Sequence, residues 1–198
     1  MPLKAPASGK DFERCPTGLQ PAVCVYVVDC GLQTSGMYGD KHKCRLIFET
    51  EALMTEGEYS GKPFMQSTEF TLSMFKSALL RTNIESWRGK SFTDAEAEDF
   101  DLLKLVGQQA TLNIIETTSK ETGKAYSNIG NILPGQKGKG VVPSGVEIPQ
   151  WIQDRAKEGL ERMSQQEMDQ RPEEEKNPPL EVYEGDAQSD DDSGDLPF

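Results

Sequence analysis

Leu19-Gln-Pro-Ala-Val-Cys-Val-Tyr-Val-Val-Asp-Cys30 is the stretch of this chain that decides its fold. β-Branched and aromatic residues dominate it, as they do in strands. Both of its alternating faces, Val23/Val25/Val27 and Cys24/Tyr26/Val28/Cys30, are apolar. A strand of that kind belongs at the centre of a sheet, covered on both sides. Gly31 to Asp40 holds three glycines and predicts a loop. Lys41 to Thr50 then alternates, with Cys44, Leu46 and Phe48 on one face and Lys43, Arg45, Ile47 and Glu49 on the other. The period of two predicts a half-exposed strand with a core face and a basic outer face.

Working outward, Phe64 to Leu72 predicts a third strand after the turn at Gly57–Pro63. The periodicity then changes. Phe75, Leu79, Leu80, Ile84 and Trp87 fall at near-helical spacing, and Asp94 to Val106 predicts a second helix, capped at Thr93-Asp94-Ala95-Glu96 and stopped by Gly107. Gln109 to Thr118 and Ala125 to Leu133 return to strand character across a short polar turn, a hairpin signal. Three strands, a helical insertion and two strands is the order of a five-stranded Greek-key barrel of the OB type. The expected fold is therefore mainly β, with such a barrel over residues 19–134 behind an N-terminal arm, 1–18. Beyond it the chain predicts a Gly/Pro-rich linker, 135–147, a short helix, 148–169, and an acidic tail, 170–198, too polar to bury a core.

Composition narrows the function. The 198 residues carry 21 Lys+Arg against 33 Asp+Glu, a net charge of −12. Before residue 151 there are 16 basic and 18 acidic residues, so the acidity sits mostly in the last quarter. The longest apolar run, Ala22–Val28, is far short of the roughly 20 residues that span a bilayer. Met1-Pro2-Leu3-Lys4 opens no export signal, and a soluble cytoplasmic protein is expected. A single histidine, His42, argues against His-based triads, and no nucleophile, base or metal set can be named, so no catalytic residue, metal or cofactor is assigned. Cys15, Cys24, Cys30 and Cys44 lack a CxxC pair and read as reduced thiols. Cys24 and Cys30 would also lie about 20 Å apart along one strand, at roughly 3.3 Å per residue, too far to share zinc. Gly135-Gln-Lys-Gly-Lys-Gly140 has the composition of a phosphate loop but not its spacing, and reads as a basic linker.

The last ten residues, Ser189-Asp-Asp-Asp-Ser-Gly-Asp-Leu-Pro-Phe198, form an acidic run that ends in an apolar hook. Phe198 suits an apolar pocket with a cation for its carboxylate, while Asp190, Asp191, Asp192 and Asp195 steer toward a basic rim within a Debye length of about 8 Å. The tip resembles that of bacterial single-stranded DNA-binding proteins, from which Ser193-Gly194 departs by interrupting the acids. Gly61–Phe64, Ile84–Phe92, Phe100–Gly107 and Tyr126–Ile129 resemble segments of phage-encoded single-stranded DNA-binding proteins of the OB type. The resemblance implies a protein that coats single-stranded DNA in phage replication or recombination, in the cytoplasm of a bacterial host. It also implies that Leu196, Pro197 and Phe198, with the four aspartates, dock replication, recombination and repair proteins.

A nonspecific single-strand binder needs cations along a groove and aromatic faces for bases. The expected contact residues are Lys41, Lys43 and Arg45 on the second strand, Lys62 and Phe64 at the entry to the third, Trp87 and Arg88 after the helix, and Lys120, Lys124 and Tyr126 at the last hairpin. For each aromatic the competing assignment is the core, where aromatics bury large areas. Trp151 to Met163 serves equally as a packing element or as a homo-oligomer interface. The rival function is a protein that binds no DNA and whose tip mimics the host single-strand binder to capture or block repair enzymes. Leu180 to Phe198 holds seven acids and no base, so tail and DNA compete for one basic face. Deleting this segment is expected to tighten oligonucleotide binding in an equilibrium titration, most visibly at low salt; unchanged affinity would refute the competition.

Overall fold

A computed structural model describes residues 13–34, 36, 39–120, 122–138 and 140–170. In it the decisive stretch is longer than its sequence signal: β1 runs Gly18–Thr34 and takes in Gly31, which reads as the start of a loop in sequence. Two register shifts explain the difference. One lies between Cys24 and Tyr26 and one between Asp29 and Gly31, where Gly31 adopts a φ of 58°. Glycine reaches that left-handed conformation without strain, so here it marks a bulge inside the strand and not its end. The first shift also breaks the alternation. Ala22 and Cys24 face the core, but so does Val27, while Val23, Tyr26 and Val28 pair across from the outward Glu49, Ile47 and Arg45.

β2 (Asp40–Leu53) and β3 (Pro63–Thr71) follow, close to the expected segments. The polypeptide then enters α1 (Leu79–Arg88), ended by Gly89 at φ 66°. α2 covers only Asp94–Glu98. Its N-terminus has the expected Thr93/Glu96 capping box, but the single helix to Val106 is replaced by a separate 3-10 turn at Leu102–Leu105. Asp101 caps that turn by accepting from Leu103 N at 2.8 Å, which restarts the backbone where a longer helix would have continued. β4 (Gln109–Thr118) and β5 (Ala125–Pro134) form the expected hairpin. The five strands make one antiparallel sheet in the order β3-β2-β1-β4-β5. Its edge strands β3 and β5 approach each other, and α1 packs against both. Leu80, Ile84 and Trp87 of α1 close the core formed by Cys24, Leu46, Phe48 and Leu112.

The other face of the sheet is covered by described residues that follow β5. Val23, Cys30 and Ile47 are buried outside that core, together with Ile152 and Ala156 of α3 (Gln150–Gln170), which packs on β1. Residues 141–149 have no regular structure, yet side chains fasten them down: Gln109 bonds both the N–H and the carbonyl of Val141, and Glu49 accepts from the N–H and hydroxyl of Ser144 at 2.7 and 2.8 Å. Tyr26 donates to the Val146 carbonyl at 2.9 Å. α3 then crosses β1 at a glycine pair, where a Cβ on Gly159 would overlap the Cys30 carbonyl oxygen and one on Gly31 the Gly159 backbone. Gln33 seals the crossing by donating to Cys30 O at 2.6 Å and Arg155 O at 2.9 Å. Since overpacking costs about 1–3 kcal/mol, Gly159→Ala is expected to lower stability by that amount in urea unfolding, whereas Gly140→Ala, with open space around it, should cost less.

Candidate nucleic-acid interface

The β4–β5 hairpin carries the clearest cationic and aromatic group. Its turn is fixed by Ser119 N donating to Lys124 O and Gly123 N to Ser119 O, both at 2.9 Å, with Gly123 at φ 67°. Lys120 and Lys124 are exposed on it, and Tyr126, paired with Thr117, is 43% exposed. Residues 13–15 link this hairpin to the β2–β3 turn. Arg14 pairs with Glu116 at 2.7 Å and Cys15 O accepts from Ser127, while the Glu13 carboxylate accepts from Thr55 and Glu56. Those hydrogen bonds, led by the one from Glu56 N, hold the Glu13 carboxyl below the usual carboxylate range. On that turn the Lys62 ammonium lies 5.3 Å over the Tyr59 ring, and both are exposed. Lys62 and Tyr59 thus lie at the same end of the sheet as Lys120, Lys124 and Tyr126. Tyr59 is an addition to the residues expected from sequence; lying in a glycine-rich turn, it gave no periodic signal.

Lys41 and Lys43 sit at the opposite end of the sheet, where β2 pairs with Gln33 and Gly31 of β1. Lys41 is exposed and Lys43 half-buried. Arg45, expected beside them on an open face, is instead enclosed. It donates to Ser67 at 3.0 Å and Glu69 at 2.8 Å, and its guanidinium lies 4.9 Å over the Trp151 ring of α3. Arg155 donates to the same Glu69 carboxylate at 2.9 and 3.1 Å, so one half-buried acid joins β2, β3 and α3. Burial pushes the Glu69 carboxyl up, but the hydrogen bonds from Arg155 and Arg45 and their charges outweigh it and hold it below its ordinary range.

Two further expectations are corrected. Phe64 is buried in the core cluster. Trp87 is 5% exposed, donates Nε1–H to Gln109 O at 2.7 Å and meets Phe48 edge-on at 5.4 Å, so it closes the core and offers no ring to a base. Arg88, next to it, is exposed and stacks 4.0 Å over Phe92. The four thiols are unpaired and buried. Burial pushes Cys24 and Cys44 up to about 12, which keeps both protonated at neutral pH. Among the described residues no group of three or more His, Cys, Asp or Glu could hold a metal, and no helix is long and apolar enough to cross a membrane. The docking tip, Asp190, Asp191, Asp192, Asp195, Leu196, Pro197 and Phe198, lies outside the described residues. No protein-family model matches this chain, and no curated protein matches it.

A carboxyl held low in the folded state contributes stability that is present above its unfolded pKa and lost as pH falls through the folded value. Glu69→Gln is therefore expected to destabilise the protein by about 1.5–3 kcal/mol at neutral pH, the range for hydrogen bonds to charged groups. The deficit should shrink as pH falls below the carboxylate range, measured by urea unfolding with tryptophan fluorescence across pH. A deficit independent of pH would mean that packing, and not the ionised carboxylate, holds α3.

Proposed function

We propose that this chain is a single-stranded DNA-binding protein with an OB-type barrel, which coats transient single strands in phage replication or recombination. Its acidic tip would recruit partner proteins. The single observation that carries the proposal is the β4–β5 hairpin, where Lys120, Lys124 and the half-open ring of Tyr126 project together from a sheet whose other aromatics are largely buried. Cations that attract phosphate beside a ring that accepts a base are what nonspecific strand binding requires. The sheet order supports the same reading, because an OB barrel joins its third and fifth strands and sets its helix at that seam. Here β3 and β5 are the approaching edges, and α1 packs on both. The resemblance of Gly61–Phe64, Ile84–Phe92 and the D-L-P-F tip to single-strand binders points the same way.

The covered middle of the sheet sets the strand's path. With Arg45 held by Glu69 and Trp151, contacts fall to the two ends: Lys62, Lys120, Lys124 and Tyr126 at one, Lys41 and Lys43 at the other. No reaction is part of this function; affinity combines counterion release with stacking. The test is equilibrium binding of full-length and tail-truncated protein to fluorescent oligo-dT with duplex competitor across a salt series. Expected is salt-sensitive binding that prefers the single strand, with a log-log slope near −0.7 per neutralised phosphate for the tail-truncated form. Lys120→Ala should flatten the slope by about 0.7, and Tyr126→Ala should cost about 1–3 kcal/mol. Absence of binding by both forms would overturn the proposal and leave the tip-mimic function in its place.

A further inference from the structure

Phe75 stands apart from the other described aromatics. Its spacing to Leu79 and Leu80 reads as helical in sequence, but α1 begins only at Leu79, which leaves Phe75 in the loop from β3 with its ring 80% exposed. The loop is tied on both sides. Leu72 N donates to His42 O at 2.8 Å, and Ala78 N donates to Phe75 O at 2.9 Å. The buried Arg81 guanidinium reaches back to the carbonyl of Met74 at 3.2 Å while a second nitrogen holds Phe92 O at 2.8 Å. Met74 packs against the core, so the backbone is anchored immediately before the exposed ring. An apolar ring held in water by a fixed backbone forgoes burial worth about 1.5–3 kcal/mol, which contact with a ligand would recover.

Charge separates the two sides of the ring. Toward α2 it borders a recess whose acids, Asp94 and Glu98, are matched by Lys76 and Arg81, both of which pair with Asp94. Toward β2 it borders a second recess with Lys43, Phe70 and Leu79. Glu69 also lines the second recess, but Arg45 and Arg155 neutralise it. Lys76 pairs with Asp94 at 3.2 Å, whereas Lys43 has no ion pair among the described residues. A polyanion therefore meets an unanswered cation on the Lys43 side and a charge-balanced recess on the other. A protruding ring also offers a flat face rather than a pocket, which suits a base better than an inserted protein side chain.

We infer that Phe75 is a stacking platform for one base of a bound single strand, with Lys43, and Lys41 beyond it, meeting the adjoining phosphates. This site rests on the strand-binding function proposed above and supplies an aromatic at the end of the sheet that otherwise has only cations. The test compares full-length wild type, Phe75→Ala and Phe75→Tyr on oligo-dT and on an abasic deoxyribose-phosphate strand of equal length. Expected is a roughly 5- to 150-fold loss for Phe75→Ala on oligo-dT, less than about twofold on the abasic strand, and recovery with Phe75→Tyr. Equal binding by wild type and Phe75→Ala, or equal losses on both strands, would overturn the site while leaving the strand-binding function standing. Phe75→Ala that dissociates an oligomer in sedimentation, or abolishes capture of a peptide of residues 189–198, without changing the oligo-dT affinity, would assign the ring to a second copy or to the tip instead. Failure of wild type to bind oligo-dT at all would remove both the function and the site.

Discussion

The structure depends on what happens at Val25. β1 pairs with β4 over Gly18–Val23 and with β2 over Ala22–Thr34, so a single strand must leave one partner as it continues with the other. An extra residue between Cys24 and Tyr26 absorbs the change, since a bulge bends its strand and increases local twist. It also lets Cys24 and Val27 both reach the core and turns Tyr26 and Val28 outward. Strict alternation would have placed Tyr26 with Cys24 and Val28, inside a core whose neighbouring strand already supplies Phe48. The bulge is thus how one strand serves two packing layers.

From that follows the second layer. The outward Val23 and Ile47 are apolar and would be exposed on a bare sheet; Ile152 and the fastened residues 141–149 cover them. Coverage needs close approach, and only the Gly31–Gly159 crossing provides it, because a side chain on either would meet backbone. The half-buried Glu69 network then fixes where along the sheet α3 lies. A sheet covered on one face by its own C-terminal segment and on the other by α1 leaves its hairpins and loops as the open surface. That is why the exposed cations and rings gather at the two ends and not across the middle.

Much of this was legible in the sequence, and the errors share a cause. The five strands, the Thr93 cap and the last helix were readable because each is a local pattern of period 2 or 3.6 or a local cap. Gly31 read as a loop because a glycine that relieves a bulge and one that ends a strand look alike without the register. Phe75 read as helix face because periodicity cannot show that the helix starts four residues later. Trp87 read both as helix face and, beside Arg88, as a base contact, because the partners that decide for the core, Gln109 and Phe48, are distant in the chain. Arg45 read as free because its neutralising acid lies on the next strand, and the second arginine on that acid comes from α3. Local composition reports which residues are charged, not which charges are already answered.

On the strand-binding function proposed above, the same distinction governs how a chain of net charge −12 would hold a polyanion. At physiological salt charges act over about 8 Å, so a strand lying along the hairpins senses Lys120 or Lys43 and little of an acid several Debye lengths away. On that proposal few cations would be engaged, so counterion release would yield only modest affinity and stacking on rings such as Tyr126 would supply much of the remainder. Stacking is indifferent to ionic strength to first order. Repulsion from the acids after residue 170 weakens as salt rises, which opposes the loss of phosphate contacts. If the full-length chain binds single strands as proposed, it should therefore lose affinity with salt more slowly than the number of its phosphate contacts would imply, and stacked rings would make that tolerance physically attainable.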